Sequence, residues 1–409
     1  MKRFLTSLCT SFVCLIVMAQ GWPSSYGGVM LQGFSWDSFD DSQWTVLEKK
    51  ADDLSGYFDL VWVPQSGKAA AAKSMGYDPL YYFNQNSSFG TESELRSMIT
   101  TFKNKHIGTI ADVVINHHGT NNGWFGFPAE VYKGTTYQHQ STDVCANDDG
   151  GKAAEEARKK SVQLSRNNDE GEDWNGMRDL DHTSSNVQKI VKAYENYLLN
   201  DLGYAGFRYD MVKGFGAYHV GDYNTVANVK YSVGEYWDGN TNTVKTWIDA
   251  TGKRSAAFDF AFRYAVRDAI NQNDWRVLSD TRSTGINVDN GAYRQYAVTF
   301  VENHDVQDRG TTNGYSPDPI RKDTLAANAY LLAMPGTPCV FYPHYLTYPK
   351  EIKAMIDARK LAGVTNTSSY QNYRSSKDHY ANVVTGTNGK LLVVVGNNAN
   401  QLIVPTSRY

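Results

Sequence analysis

The chain has 409 residues, of which 41% are hydrophobic and 20% charged, and its formal net charge is −3. This composition is typical of a globular protein with a large core, and the length suggests two or three domains. The nearly balanced charge excludes the strongly basic composition that would point to nucleic acid or another polyanionic partner.

The first residues have the composition of a secretory signal peptide. Lys2 and Arg3 precede a mostly apolar run over residues 4–18, and Val17 and Ala19 are the small residues that a cleavage site requires, so we expect cleavage after Ala19. The run is shorter than the ~20 apolar residues of a membrane helix, and we expect no transmembrane segment. The short signal favours a bacterial chain, and periplasm, cell surface and medium stay open as locations.

Short apolar segments then alternate with longer helical stretches. Strands are predicted at Val29–Phe34, Leu60–Val63, Ile107–Asn116, Gly206–Tyr209, Tyr231–Gly234, Ala297–Phe300 and Val340–Phe341. Helices are predicted at Asp41–Leu54, Glu92–Lys103, Val187–Leu199, Thr243–Thr251, Phe260–Ile270 and Asp323–Leu332. This alternation indicates parallel βαβ units, eight of which close a (β/α)₈ barrel.

Two regions break the alternation. Residues 118–183 are polar and rich in Gly, Asn and Asp, and so long a connection predicts an inserted subdomain between two halves of the barrel, 20–117 and 184–363. Residues 364–409 contain short β-like pieces, Leu391–Val395 and Leu402–Val404, which predict a small antiparallel C-terminal domain.

Charged residues follow four of the predicted strands. They lie in the segments Asp112–His117, Gly206–Gly214, Val233–Asp238 and Phe300–Asp305. A lone acid at such a position is often only a helix cap, but the C-terminal ends of barrel strands are also where active sites are built. Carboxylates that converge from several strands suit glycoside hydrolysis, which needs an acid and a nucleophile about 5–5.5 Å apart when configuration is retained.

The four segments resemble, in the same order, the four signature motifs of the α-amylase family, glycoside hydrolase family 13. The segment Gln32–Trp36 resembles the first-strand motif of plant-type and related bacterial amylases, Gly76–Pro79 the segment after the second strand, and Pro335–Pro338 the entry to the eighth strand. Glu302 departs from the Asp of many members, and Gly214 from the His of animal and many bacterial members, although the plant-type group has Gly there.

The resemblance implies a role for each of three carboxylates. Asp210 matches the nucleophile, and Arg208, on the same side of the strand, would keep it ionised. Glu235 matches the general acid, whose pKa must be raised, and Asp305 matches the carboxylate that holds sugar hydroxyls and favours ring distortion.

The resemblance also implies binding residues around the same sugar. His117 and His304 match two histidines that bind it, and Tyr77 matches the aromatic platform beneath it. Lys213 is expected to contribute to binding on the leaving-group side.

A Ca²⁺ ion between insert and barrel is implied as well, because the ligands in the family are oxygen atoms that suit a hard cation. The matching ligands here are Asn116, Asp169, Asp179 and the carbonyl of Gly214. Asp148 and Asp149 are candidates for a second ion.

Cleavage of the signal would leave two cysteines, Cys145 in the insert and Cys339 entering the eighth strand from the far end. A strand spans about 17–20 Å, whereas a disulfide needs Cα atoms under about 7 Å apart. We therefore expect two free thiols.

These expectations describe a monomeric enzyme that cuts internal α-1,4-glucosidic bonds of starch-like glucans. The same carboxylates serve maltogenic amylases, α-glucosidases and transglycosylases of the family, so the motifs do not separate these activities. A non-catalytic glucan-binding relative is the alternative from another class, and such proteins lose members of the carboxylate triad that this chain keeps.

Overall fold

The computed structural model describes residues 21–279, 285–310 and 317–397. The predicted signal peptide and the predicted β-piece Leu402–Val404 lie outside the described residues.

A closed barrel of eight parallel strands forms the centre of the molecule. In chain order, its strands are Met30–Gln32, Leu60–Trp62, Gly108–Val113, Gly206–Tyr209, Tyr231–Gly234, Ala256–Phe258, Ala297–Thr299 and Thr337–Phe341. The first strand pairs with both the second and the eighth, which closes the barrel. The (β/α)₈ architecture predicted from the sequence is therefore confirmed.

The sixth strand, Ala256–Phe258, is absent from the sequence prediction. It has only three residues, two of them alanine, and Asp259 follows it directly as the cap of the next helix. The carboxylate of Asp259 accepts the amide N–H of Phe262 at 3.2 Å. An apolar run this short, directly before a helix, shows no alternation by which a strand could be recognised.

Helices cover the outside of the barrel and have recognisable start signals. The helix Glu92–Asn104 begins at a capping box, in which Thr91 and Glu94 each bond the other's backbone N–H, and its buried face repeats at helical spacing. The α-helices are Trp44–Glu48, Ala51–Leu54, Glu92–Asn104, Lys152–Lys160, Ser185–Asn196, Ala217–Ala227, Thr241–Ala250, Phe260–Asn271, Ile286–Asp289, Thr324–Ala333, Tyr342–Thr347 and Pro349–Ala362. A π-helical turn spans Tyr197–Leu202, and short 3₁₀ turns span Ser141–Asp143, Asp148–Gly151, Trp275–Ser279 and Arg294–Tyr296.

The predicted helix Asp41–Leu54 is two helices instead of one. The amide of Lys50 bonds the carbonyl of Leu47, three residues back, so the chain tightens between Glu48 and Ala51. Trp44, Leu47 and Leu54 remain buried, which explains why their helical spacing does not reveal the interruption.

The segment between the third and fourth barrel strands forms the predicted insert. It contains two short antiparallel ladders, one joining Glu130–Tyr132 to Thr135–Tyr137 and one joining His117–His118 to Arg178–Asp179. The amide of Glu172 in the insert donates to the carbonyl of Lys213 in the barrel at 3.0 Å. A Cβ at Gly171 would lie 1.9 Å from that same carbonyl, so the two backbones are in close contact.

A three-stranded antiparallel sheet of Ser369–Ser375, His379–Thr385 and Lys390–Gly396 follows the last helix, as predicted. Tyr380 and Val395 of this sheet belong to the same hydrophobic core as the barrel. The predicted boundaries of the domains at residues 117, 183 and 363 stay predictions.

Cys145 and Cys339 are free and buried. Among the described residues, no helix combines the length and the apolar character that crossing a membrane demands.

Candidate active site

A cleft of about 450 Å³ opens at the C-terminal ends of the barrel strands. It is lined by Trp36, Tyr77, His117, Glu172, Trp174, Asp210, Met211, Lys213, Glu235, Trp237 and Asp305. All three predicted catalytic carboxylates are among them, although they follow the fourth, fifth and seventh strands.

Arg208 is the centre of an ion-pair network in the floor of the cleft. Its side chain is 1% exposed and lies in the fourth strand. One guanidinium nitrogen, Nη1, is 2.6 Å from Asp210 and 2.8 Å from Asp112, and the other, Nη2, is 2.9 Å from Glu235. A single cation thus contacts three acids that come from three neighbouring strands.

Glu235 lies in an environment that opposes its ionisation. Burial raises its pKa well above the usual value, against the lowering effect of Arg208, and the charges of Asp210 and Asp305 add to the rise. The amide of Met211 donates to Glu235 at 3.0 Å. Met211 has a φ of 43°, which is rare for a residue with a side chain.

Asp305 belongs to a hydrogen-bonded chain that includes His304 and Tyr77. Gln32 donates to Nδ1 of His304 at 3.0 Å, so the ring proton sits on Nε2, which is 3.2 Å from Asp305 and 2.7 Å from the hydroxyl of Tyr77. That hydroxyl in turn donates to Asp112 at 3.0 Å. Burial, with the charge of Asp210 adding to it, raises the pKa of Asp305 to about 7.

Aromatic rings form two walls of the cleft. Trp36 lies parallel to both Tyr77 and His304, with ring centroids 6.1 and 6.2 Å away. On the other side Trp174 of the insert stacks on His117 at 5.2 Å. Nε2 of His117 hydrogen-bonds the carbonyl of Tyr77 at 2.9 Å, and burial lowers the pKa of His117. Flat rings beside buried carboxyl groups suit a ligand with an apolar face and hydroxyl groups.

Lys213 lies at the rim of the cleft on the side of the insert. Its Nζ atom is 2.7 Å from Glu172, and this ion pair spans the contact between insert and barrel.

The predicted metal ligands meet where the insert packs on the barrel. Nδ2 of Asn116 lies 3.3 Å from Asp179. A Cβ at Gly214 would lie 2.0 Å from Oδ1 of Asn116, so only glycine fits there. Oδ2 of Asp169 is buried and has no hydrogen-bond partner within the described ranges.

Two further acids join this group, one of which the sequence prediction missed. One carboxylate oxygen each of Asp148, Asp173 and Asp179 lie within 4.8 Å of one another, an arrangement that could hold a metal ion. Burial raises the pKa of Asp148 to about 7, and burial together with a hydrogen bond to Asp173 raises that of Asp179 to about 10. Asp148 and Asp149, predicted as a second ion site, both pair with Arg178, at 2.7 and 3.6 Å.

A family model described as the catalytic domain of α-amylase matches residues 63–382. The chain belongs to the α-amylase family. This family consists of glycoside hydrolases.

The chain is 30% identical to probable alpha-amylase 2 of Arabidopsis thaliana, over 87% of this chain and 86% of that protein. It is 29% identical to alpha-amylase 3, chloroplastic, of the same plant, over 87% of this chain but only 40% of that longer protein. It is also 26% identical to a glucan 1,4-alpha-maltotetraohydrolase of Stutzerimonas stutzeri, over 90% of this chain and 68% of that protein.

Solved structures of α-amylases share the fold. An α-amylase from Malbranchea cinnamomea superposes with a TM-score of 0.62 at 17% identity, covering 91% of this chain and 93% of the other. An α-amylase from Geobacillus thermoleovorans gives 0.65 at 14% identity, covering 91% and 87%.

Several residues of this α-amylase family site were not identified from the sequence. Asp112 lies inside a recognised motif, and in the barrel it pairs directly with Arg208, so the two side chains share a face. Trp174 and Glu172 come from the insert, where no periodic pattern predicts which side chains reach the cleft.

Proposed function

We propose that the chain is an exported, monomeric α-amylase that hydrolyses internal α-1,4-glucosidic bonds of starch-like glucans and retains the anomeric configuration. The observation that carries this proposal is the contact of Asp210 and Glu235 with one guanidinium group, that of Arg208, in the floor of the cleft. Two carboxyl groups beside one cation are close neighbours, as the separation of about 5–5.5 Å in retaining glycosidases requires.

The proposed reaction has two displacements. Asp210 attacks the anomeric carbon while the protonated carboxyl of Glu235 gives its proton to the glycosidic oxygen, so the C–O bond breaks and a glycosyl ester forms on Asp210. The carboxylate of Glu235 then takes a proton from water, whose oxygen attacks the same carbon and releases Asp210. The raised pKa of Glu235 supports its role as the proton donor.

The proposed sugar-binding groups surround this pair. Asp305, His304 and His117 offer hydrogen-bonding groups at the cleft, and Tyr77 supplies a half-buried ring. Contacts with the ring that is distorted in the transition state would strengthen as the reaction proceeds. Lys213 stands at the rim, where it can bind the part of the glucan that leaves.

We also propose a structural Ca²⁺ at the insert. The donor set supports it, because Asn116, Asp169, Asp179 and the carbonyl of Gly214 are hard oxygen donors and Asp169 has a buried, unpaired oxygen. Crowded acids with raised pKa values favour a cation that replaces their protons. When bound, the ion would hold the insert, and with it Trp174, against the barrel.

The product profile of soluble starch over time tests the proposal, run with and without a calcium chelator. Long oligosaccharides in the first minutes are expected, followed by shorter ones, with lower activity after chelation. Release of only glucose or maltose from the start would favour an α-glucosidase or a maltogenic enzyme, and products longer than the substrate a transglycosylase.

The Glu235→Gln variant tests the mechanism. Loss of a general acid lowers kcat by about 10²–10⁴-fold, whereas the affinity for maltooligosaccharides should change little. Glu155→Gln, an exposed position on the helix Lys152–Lys160, is the matched control and should keep full activity. Intact starch hydrolysis by Glu235→Gln would rule out the assigned role, and no hydrolysis by the unmodified chain would favour a binding protein.

A further inference from the structure

The insert contains a second cavity, of about 460 Å³, outside the catalytic cleft. Its lining includes Ala70 from the loop after the second strand and Thr120, Trp124 and Arg178 from the insert. His118 also lines it, directly after the cleft residue His117.

A two-residue ladder separates the two cavities. His117 pairs with Asp179, and His118 pairs with Arg178. Successive residues of a strand point to opposite faces, and paired residues share a face. One face of the ladder therefore carries His117 towards the cleft and Asp179 towards the acidic group, whereas the other face carries His118 and Arg178 towards the second cavity.

His118 supplies a polar atom that the protein leaves unused. The side chain is 2% exposed, and its Nδ1 hydrogen-bonds the carbonyl of Gly119 at 2.6 Å. Across residues 21–279, 285–310 and 317–397, no hydrogen bond to its Nε2 is found. The rings of Tyr82 and Phe127, at 5.0 and 5.8 Å, hold the imidazole in place. A hydroxyl group can pair with Nε2 in either protonation state of the ring, because it both donates and accepts.

The positive charge beside this atom is already neutralised. The guanidinium of Arg178 lies 2.7 Å from Asp148 and 3.6 Å from Asp149, and its carbon atom Cζ lies 3.9 Å from the centre of the Trp124 ring. A buried cation with two partners has little attraction left for an anionic ligand. The cavity therefore combines the Trp124 ring, an unused imidazole nitrogen and the hydroxyl of Thr120, which donates to the carbonyl of Gly123 and can still accept. These groups suit a neutral polyhydroxyl ligand.

We propose that this cavity is a second saccharide-binding site, which holds glucosyl units of an α-glucan chain beside the catalytic cleft. The inference rests on the proposed function for the identity of the sugar. Because His117 and His118 are adjacent, a glucan held in the second cavity remains next to the cleft, which would favour repeated attack on one polymer.

Maltotriose binding to the Glu235→Gln protein, measured by calorimetry, tests the second site. The inactive variant does not cut maltotriose, and a trisaccharide is too short to fill both cavities at once. We therefore expect two molecules bound per chain. Ala70→Trp places a large ring in the second cavity from an exposed position and should leave one molecule bound. Ala70→Ser is the matched control and should still bind two.

A second variant, His118→Phe, keeps the aromatic packing and removes the nitrogen. Loss of one hydrogen bond should weaken only the second binding event, by about threefold to tenfold. The inference is overturned if the Glu235→Gln protein binds only one maltotriose, or if Ala70→Trp and His118→Phe both bind two with unchanged affinity. Starch hydrolysis by the unmodified chain separates the two failures. If only the second site is wrong, the chain still hydrolyses starch; if the proposed function is wrong, it does not.

Discussion

Charge balance around Arg208 decides the protonation of the active site. Asp112, Asp210 and Glu235 all contact this one buried guanidinium, and Asp305 lies beside them. One cation is too few to neutralise four largely buried acids, which favours the protonated form of at least one carboxyl group. Burial and like charge outweigh Arg208 at Glu235, so its protonated form is favoured.

The variant Asp305→Asn should move the alkaline limb of the pH–activity profile to lower pH. The charge of Asp305 is one of the causes that raise the pKa of Glu235, and catalysis requires Glu235 in its protonated form. Activity is lost as pH rises through that pKa, so a lower pKa means an earlier loss. Measuring the residual kcat/KM of the variant across the pH range locates this alkaline limb.

The control for this prediction is Glu302→Gln. Glu302 is an acid of the same loop, but it pairs with His344 at 3.0 Å and is not among the causes of the shift at Glu235. The alkaline limb of the Glu302→Gln profile should stay in place. An unchanged limb in Asp305→Asn would show that the two carboxyl groups do not interact as described.

At the scale of elements, short strands position the catalytic groups and helices hold the strands. The helix Glu92–Asn104 packs through Leu95, Met98, Ile99 and Phe102, all buried, and its start is fixed by the capping box of Thr91 and Glu94. This helix lies directly before the third strand, which carries Asp112 at its end. The cap therefore contributes to the stability of one whole βα unit of the barrel.

Thr91→Ala should lower the free energy of unfolding by about 1 kcal/mol, because it removes the side-chain acceptor for the amide of Glu94. Chemical denaturation, followed by circular dichroism, measures the change. Thr100→Ala makes the same substitution at an exposed site inside the same helix, where Ala has the higher helix propensity, and should not destabilise. Equal losses in both variants would contradict a capping role.

Elements with a clear period or a polar end were predictable, and elements defined by tertiary contacts were not. The strands Gly206–Tyr209 and Tyr231–Gly234 have the predicted bounds, because each is a short buried run that an acid, Asp210 or Glu235, follows directly. The strand Ala256–Phe258 is recognisable only by its pairing with both neighbours, and the tight turn at Lys49 and Lys50 leaves the apolar spacing of its helices unchanged. Asp173 was missed because nothing local distinguishes it from the other acids of the insert.

At the scale of the whole molecule, a group of acids lies where the insert packs on the barrel, and their burial, together with their mutual repulsion, opposes ionisation in the folded state. The pKa of Asp148 is raised to about 7 and that of Asp179 to about 10, so the folded protein holds protons that the unfolded chain releases near pH 4. Without a cation, the folded state therefore loses stability relative to the unfolded chain as pH rises from about 4 through these pKa values.

Calcium should raise the melting temperature more at pH 8 than at pH 5, because fewer protons must be displaced at the higher pH. Gly214→Ala should reduce this gain, since the new Cβ would displace Asn116. Gly291→Ala is the matched control, because a Cβ there meets no atom within 4 Å. Thermal unfolding with Ca²⁺ and with chelator gives the gain, and an equal gain in both variants would argue against an ion at this place.

The closure of the barrel has a consequence for how the protein is made. The first strand, at Met30, pairs with the eighth at Cys339, and the indole N–H of Trp22 donates to the hydroxyl of Thr337 at 2.8 Å. During synthesis the first strand must wait for the last one, and until residue 341 has left the ribosome a growing chain exposes strand edges that can pair with other chains. Exposed edges of this kind are what chaperones shield in nascent chains, and a product that stops before residue 337 cannot close the barrel.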